Sequence, residues 1–270
     1  METGKSENRQ GGGCTFAPLG PADGPADGPE TALAAAGGEN LISSALLDGL
    51  ARERGTDKSS AYHGYAEQYG RILEPLRRWS RPKAVVEVGV CRKWDGNRHI
   101  CPSLAMWADW FATPAAGGEA CSVNVIGLDK LEFGIDDGRI LTLVCDQGDA
   151  GHLAAARHAL QKGFGGRGGV DLIVDDGSHE ARHQQATMKA LWPVLRVGGA
   201  YVIEDLNYNP EHEERLRRVR GCVETWQAGM KPAWLVDLRR EIKTVDKIEW
   251  VDSNVAGKRS AVVLWKAREL

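Results

Sequence analysis

Short apolar runs recur along the chain at residues 84–90, 124–128, 140–144, 170–174 and 200–203. Each is followed by charged or turn-forming residues. Runs of this length bounded by turn signals predict buried strands. Between them the apolar positions change to helical spacing. Residues 41–53 place Leu41, Ile42, Ala45, Leu46 and Leu50 on one face, and Tyr62, Tyr65, Tyr69, Leu73 and Leu76 continue at helical intervals. Further helices are predicted from Ser103, which reads as an N-cap, over 150–162, and between the strands at 170–174 and 200–203. Beyond residue 206, the stretch 207–210 reads as loop. A charged helix is predicted over 211–220, a second over 221–230 and a short third over 233–241. Two strands at 247–253 and 260–266 form a terminal hairpin around 254–259. Strand–helix–strand crossovers of this length favour parallel pairing, with the strand C-termini on one sheet edge. The prediction is an α/β domain over 81–270. It has five alternating β/α units and a hairpin, giving seven strands, mostly parallel with an antiparallel end. Residues 41–80 form a helical extension or lid. Residues 1–40, rich in Gly, Pro and Ala and holding the repeat P-A-D-G-P-A-D-G-P, read as a disordered tail.

Composition narrows the class. The chain has 270 residues, a hydrophobic fraction of 42% and a net charge of −3. That is enough apolar material for a sizeable core, with no basic footprint for nucleic acid. The six cysteines show no CxxC pair and no metal spacing. Cys91 and Cys101 flank an irregular segment where a disulfide can be drawn, but reduced thiols are the expectation without a secretory signal. No apolar stretch is long enough to span a bilayer. A cytoplasmic protein is expected, with neither nucleic-acid nor membrane partners.

The chemistry concentrates between residues 170 and 206. The run V-D-L-I-V ends in Asp175 and Asp176, followed by G-S-H with His179; the run A-Y-V-I ends in Glu204 and Asp205. On a parallel sheet these four carboxylates and His179 meet at the C-terminal edge, where ligands bind in open α/β sheets. Carboxylate oxygens suit Mg2+, which keeps several waters and needs only two or three such ligands; Asp176, Glu204 and Asp205 are the candidate set. A neutral His179 beside them is a candidate general base. His183 falls one helical turn later. Each acid alone could be an ordinary helix-capping residue, and His179 a structural histidine; two acidic pairs on neighbouring strands favour a site. The first strand ends in Glu87-x-Gly89, and Asp129 closes the second, a position suited to ribose hydroxyls. Gly55 opens a G-T-D-K turn whose Lys58, with His63 nearby, is hard to explain as packing. The tyrosine stripe reads as core before it reads as a ligand box.

Four stretches together resemble a known family: V-D-D-G-S-H at 174–179, G-G-A-Y-V-I-E-D-L at 198–206, G-T-D-K with H-G-Y at 55–65, and S-L-A-M-W at 103–107. They are similar to the macrolide sugar O-methyltransferases of the mycinamicin and macrocin type, over residues 41–266. The resemblance implies a class I Rossmann-like methyltransferase fold, S-adenosylmethionine and Mg2+ as cofactors, and a sugar or natural-product hydroxyl as acceptor. It also implies a homo-oligomer. It assigns the ion to Asp176, Glu204 and Asp205 and catalysis to His179 with Asp176. It lays the cofactor across Glu87, Gly89 and Val90, with Asp129 on the ribose and Asp146 and Gln147 near the adenine. Ser103 and Asp175 fall on the cofactor side. Thr56, Asp57, Lys58 and His63 would close over the site. One departure stands out: C-R-K-W-D-G-N-R-H-I-C-P at 91–102 replaces the family's glycine-rich loop. It keeps open a binding or scaffold protein that has lost methyl transfer, or another reaction on the same fold. The acceptor pocket is expected from 207–231 and 91–102, with Trp94, Trp226 and Trp234 as candidate lining residues.

Overall fold

Strand β1 (Lys83–Val88) is buried along its whole length and lies at the centre of the molecule. Alternate residues feed two different layers: Val85 packs with one apolar cluster, Val86 and Val88 with the other. A strand covered on both faces has no reason to alternate in polarity, hence the continuous apolar runs in the sequence. The structure, a computed structural model, describes residues 36–90, 93–94, 99–115, 118–206, 238–253 and 260–270. β1 pairs in parallel with β4 (Val123–Asp129) and β6 (Val170–Asp175). Outside these lie β5 (Ile140–Val144) on β4 and β7 (Leu195–Ile203) on β6, both parallel. The hairpin of β8 (Val245–Asp252) and β9 (Ser260–Lys266) completes the sheet in the order β5-β4-β1-β6-β7-β9-β8, with β9 antiparallel to both its neighbours. This is the expected seven-stranded, mostly parallel sheet. A separate two-stranded ribbon, β2 (Lys93–Trp94) with β3 (His99–Ile100), follows β1.

Helices α1 (Ala36–Arg54), α2 (Tyr65–Ile72), α3 (Glu74–Arg77) and α4 (Pro102–Ala112) belong to one side. α5 (Ala150–Phe164), α6 (Ala181–Leu191) and the short α7 (Arg239–Ile242) belong to the other. Residues of the 41–80 segment share a core with the sheet: Leu47, Ala51, Tyr65, Tyr69, Leu73 and Leu76 pack in the cluster that also holds Val85, Val174 and Val202. Trp107, Trp110 and Phe111 of α4 fill the same layer, and each large apolar side chain buried this fully contributes about 1.5–3 kcal/mol.

The structure differs from the sequence-based expectation in several places. α1 begins at Ala36, inside the segment read as a disordered tail. The tyrosine helix starts only at Tyr65. Gly64 precedes it at φ 73, a left-handed conformation open to glycine, so Tyr62 lies outside the helix and 56% exposed. Pro102, not Ser103, opens α4, with Cys101 as the N-cap residue; proline fits there because its missing N–H has no partner in the first turn. Residues 130–139 connect β4 to β5 without a helix, so that β/α unit is absent. β7 begins five residues before the predicted strand, at Leu195, and β8 at Val245. The predicted helices at 211–220 and 221–230, most of 233–241, the loops at 207–210 and 254–259, the side chains of Trp94, Trp226 and Trp234, and the Cys91–Cys101 pairing lie outside the described residues. Among the described residues no helix is long and apolar enough to cross a membrane.

Candidate active site

Strand parity decides which acids meet. Val85, Val174 and Val202 face the α1/α2/α4 layer. Two residues further along each strand stand Glu87, Asp176 and Glu204, which therefore face the same way. The ladder runs past the strand ends to hold them level: Asp176 N donates to Val88 O at 2.8 Å and Glu204 N to Asp175 O at 2.9 Å. Asp175, one residue out of phase, turns to the opposite layer. Its Oδ1 accepts from Gln147 Nε2 at 2.6 Å and its Oδ2 from the Tyr201 hydroxyl at 3.4 Å. Burial raises its pKa to about 7. The expected four-carboxylate convergence thus takes in Glu87 and leaves out Asp175.

Into this cluster the N-terminal segment delivers Lys58. Its ammonium lies 2.6 Å from Asp176 Oδ2, 2.7 Å from Glu204 Oε2 and 3.3 Å from Glu87 Oε1, with the side chain 1% exposed. The turn that carries it is pinned: Ser60 N donates to Asp48 Oδ1 at 2.6 Å, Thr56 N to Ala51 O at 3.0 Å and Ala66 N to Lys58 O at 2.8 Å. One turn later Tyr65 Oη donates to Asp205 Oδ1 at 2.9 Å, and Tyr69 Oη to Glu204 Oε1 at 3.1 Å. Gln184 Nε2 donates to the Glu204 carbonyl at 3.1 Å. The two tyrosines are both core and polar donors, which a packing interpretation of the stripe misses. The signal for it is the choice of Tyr over Phe at buried positions. Gln184 carries no such signal.

Burial alone would pull the Lys58 pKa down, but Asp176, Glu204 and Glu87 outweigh it and hold the ammonium charged. The acids respond in the other direction. Burial pushes Glu87 up to about 7 and raises Asp176 and Glu204, against the pull of Lys58. A single ammonium does not compensate this many buried carboxylates, so the cluster is short of positive charge. Both tyrosines are driven well above their ordinary pKa, first by burial and then by the acids, and remain hydrogen-bond donors.

Beside the lysine, Asp176, His179 and Asp205 come together so that one ligand atom of each lies within 4.8 Å of the others. His179 Nε2 is 3.9 Å from Asp205 Oδ2. Both His179 (φ 58) and Asp205 (φ 50) adopt left-handed backbone, which costs an L-residue about 1–2 kcal/mol and clusters at functional sites. The loop is held there from outside. Gln147 Oε1 accepts from Ser178 N at 2.9 Å, and the Ser178 hydroxyl pairs with His183 Nδ1 at 2.8 Å. Gly89, at φ +83, passes so near that a Cβ would sit 2.1 Å from Asp176 O.

The remaining candidates lie around this cluster or further along the sheet edge. Asp129, half-buried at the end of β4, accepts from Val90 N and Leu131 N, both at 2.9 Å. Asp146 is exposed after β5 and accepts from Gly148 N. Gln147 is buried, with its amide engaged by Asp175 and Ser178. Ser103 is buried beside Glu87. Thr56 is buried in the lysine turn, where its hydroxyl oxygen accepts from Lys58 N at 3.4 Å. Asp57 pairs with His63 at 3.5 Å, and that bond holds its carboxyl well below the usual range.

No protein-family model matches the chain. It is 34% identical over 161 residues to the 8-demethyl-8-(2-methoxy-alpha-L-rhamnosyl)-tetracenomycin-C 3'-O-methyltransferase of Streptomyces olivaceus, covering 59% of this chain and 36% of that one. It is 32% identical over 158 residues to the demethylmacrocin O-methyltransferase of Streptomyces fradiae, covering 56% and 34%. Over the matched region the chain is similar to curated sugar O-methyltransferases. Its fold is that of the MycE methyltransferase from the mycinamycin biosynthetic pathway, solved in complex with Mg and SAH. The TM-score is 0.59 at 25% identity, over 82% of this chain and 53% of that one. The chain spans only about a third to two fifths of the length of the curated sugar O-methyltransferases it matches.

The residues present are compatible with the kinds of group bound in that MycE complex, a divalent cation and an adenosine-bearing molecule. Carboxylate oxygens of Glu87, Asp176 and Glu204 gathered on the one Lys58 ammonium, with Asp205 alongside, fit a hard divalent cation. Half-buried Asp129 at the end of β4 and exposed Asp146 after β5 fit the hydroxyl and amine donors of an adenosine group.

Proposed function

We propose that this chain is an S-adenosylmethionine- and Mg2+-dependent O-methyltransferase acting on a sugar hydroxyl of a small-molecule natural product. The observation that carries the reading is the carboxylate cluster of buried Glu87, Glu204 and Asp205 with half-buried Asp176. It faces one lysine and stands beside His179 in a left-handed turn. The relatives' names add the acceptor class.

Bound S-adenosylmethionine would supply an electrophilic methyl group, and Mg2+ would orient the acceptor oxygens and lower the pKa of the reacting hydroxyl. The chain supplies the rest. Asp176 and Asp205 offer oxygens toward the ion. Glu204 is the third donor; its oxygens meet Lys58 and Tyr69, and each keeps a second lone pair. His179 takes the hydroxyl proton at an imidazole nitrogen, close to Asp205, which stabilises the charge it acquires. Asp129 would receive the ribose hydroxyls of the cofactor and Asp146 its adenine amine. Gln147, Asp175 and Ser178 keep the His179 loop in place. Holding acceptor and methyl donor in line accounts for most of the remaining acceleration.

The test is incubation of the full chain with S-adenosylmethionine, Mg2+ and rhamnosylated or macrolide acceptors, followed by product mass. A gain of one CH2 unit that vanishes with chelator is expected. Unchanged acceptor mass together with no calorimetric binding of S-adenosylmethionine would favour the scaffold reading prompted by residues 91–102. The same proposal makes the protein a cytoplasmic homo-oligomer, which light scattering and fractionation check.

A further inference from the structure

Lys58 is a buried titratable group to which the proposed mechanism gives no chemical step. Its side chain is 1% exposed and its ammonium touches Asp176, Glu204 and Glu87. Asp176 and Glu204 are also expected to hold the ion, so any role of Lys58 toward that ion rests on the proposed function. We propose that Lys58 is the resident counter-ion of the metal site: its ammonium and the divalent cation compensate the same carboxylates, so the chain without Lys58 depends on the cation to stay folded.

Three observations support this. The other donors from the same segment, Tyr65 and Tyr69, bring hydrogen bonds but no charge. Lys58 therefore brings positive charge to buried Glu204 and Glu87 and half-buried Asp176, which would be costly to leave uncompensated. The ammonium is also locked in place. Its turn is tied to α1 through Asp48, Ser60 and Arg52, with Ser60 Oγ donating to Asp48 Oδ2 at 2.6 Å and Arg52 Nε to Ser60 Oγ at 3.0 Å. Finally, a fixed positive charge within hydrogen-bond distance of two ion ligands repels a dication at short range. Lys58 thus lowers the affinity the acids alone would give and holds Glu204 in position while the ion is away. It is a positioning residue, not a catalytic one.

Thermal unfolding of the full chain with chelator and with Mg2+ tests this in the wild type, Lys58→Met, Lys58→Arg and the double variant Lys58→Met with Glu204→Gln. Without the ion, Lys58→Met should melt about 10 °C lower, as expected for breaking a buried ion pair. Mg2+ should recover most of that loss, a larger shift than in the wild type, and calorimetry should show Mg2+ bound at least tenfold more tightly. Lys58→Arg should behave as wild type, and the double variant should regain stability in chelator. If Lys58→Met is unfolded in chelator, circular dichroism during Mg2+ titration should show it fold, and failure to fold overturns the proposal. So does a Mg2+ shift in Lys58→Met no larger than in the wild type, or weaker Mg2+ binding. A response in neither protein removes the ion reading itself, and this inference with it.

Discussion

Strands β1 and β6 carry charged side chains at both ends, and the two ends are built on opposite principles. At the start lie Lys83 and Asp171. The buried Asp171 carboxylate meets Arg81 and Arg196, the latter at 2.8 Å, and accepts from Ala84 N at 2.7 Å. Arg81 also stacks over Trp79, 3.9 Å from the ring centroid. Lys83 donates to the carbonyls of Trp79 and Arg81. One acid there has two guanidiniums and a backbone donor. At the other end Glu87, Asp176 and Glu204 share one ammonium. The first arrangement is saturated and can only hold the sheet together. The second has unspent negative charge and can take up something more. Buried charge marks a binding site when its compensation is incomplete, not merely when it is buried.

The contrast is sharpest in the largest effects. His179→Ala should lower kcat by about 10²–10⁴, the usual contribution of a general base, with the melting temperature unchanged or slightly raised. A kcat within twofold of wild type would remove His179 from the chemistry. Asp171→Ala should do the reverse. It strands two guanidiniums and the Ala84 N–H, costing about 3–5 kcal/mol, yet Mg2+ binding to the protein that still folds should match wild type. Altered Mg2+ affinity there would show that the two ends are not independent.

Smaller effects refine the comparison. Tyr65→Phe removes the hydroxyl that holds Asp205 Oδ1, and a hydrogen bond to a charged acceptor is worth about 1.5–3 kcal/mol. Turnover should fall roughly tenfold without loss of fold; full turnover would make Tyr65 a packing residue only. The smallest concerns Lys83, whose burial brings its pKa down to about 8 from 10.5. A base with a depressed folded-state pKa contributes stability that is present above its unfolded value and lost as pH falls through the folded one. Wild-type stability should therefore rise between about pH 8 and pH 10.5. Lys83→Met should flatten that rise, which urea melts across the range would reveal.

Whatever depends on near neighbours is legible in the chain. Continuous apolar runs identify β1, β4, β6 and the end of β7, because strands covered on both faces have no polar side to hide; β5 is as apolar but lies half-exposed at the sheet edge. The acids at the strand ends are equally visible. Parity separates Asp175 from Asp176, since adjacent residues on a strand face opposite ways. The turn at Gly64, by contrast, sets the start of the tyrosine helix without changing the tyrosine periodicity, so the spacing alone begins that helix a turn too early. The destination of Lys58 is beyond reach of any local pattern: its partners lie 118 and 146 residues away, and only packing of the N-terminal segment against the sheet brings them together. Nothing in residues 130–139 distinguishes a bare loop from a crossover helix without its tertiary setting.

The left-handed backbone at His179 and Asp205 gives these positions two competing optima. A library screened only for soluble, heat-resistant protein would drift toward glycine or asparagine at both, relieving a conformational penalty of about 1–2 kcal/mol each. A library screened for product would hold histidine and aspartate against that drift. The gap between the two enrichment profiles would measure, residue by residue, how much conformational ease the lineage forgoes for turnover.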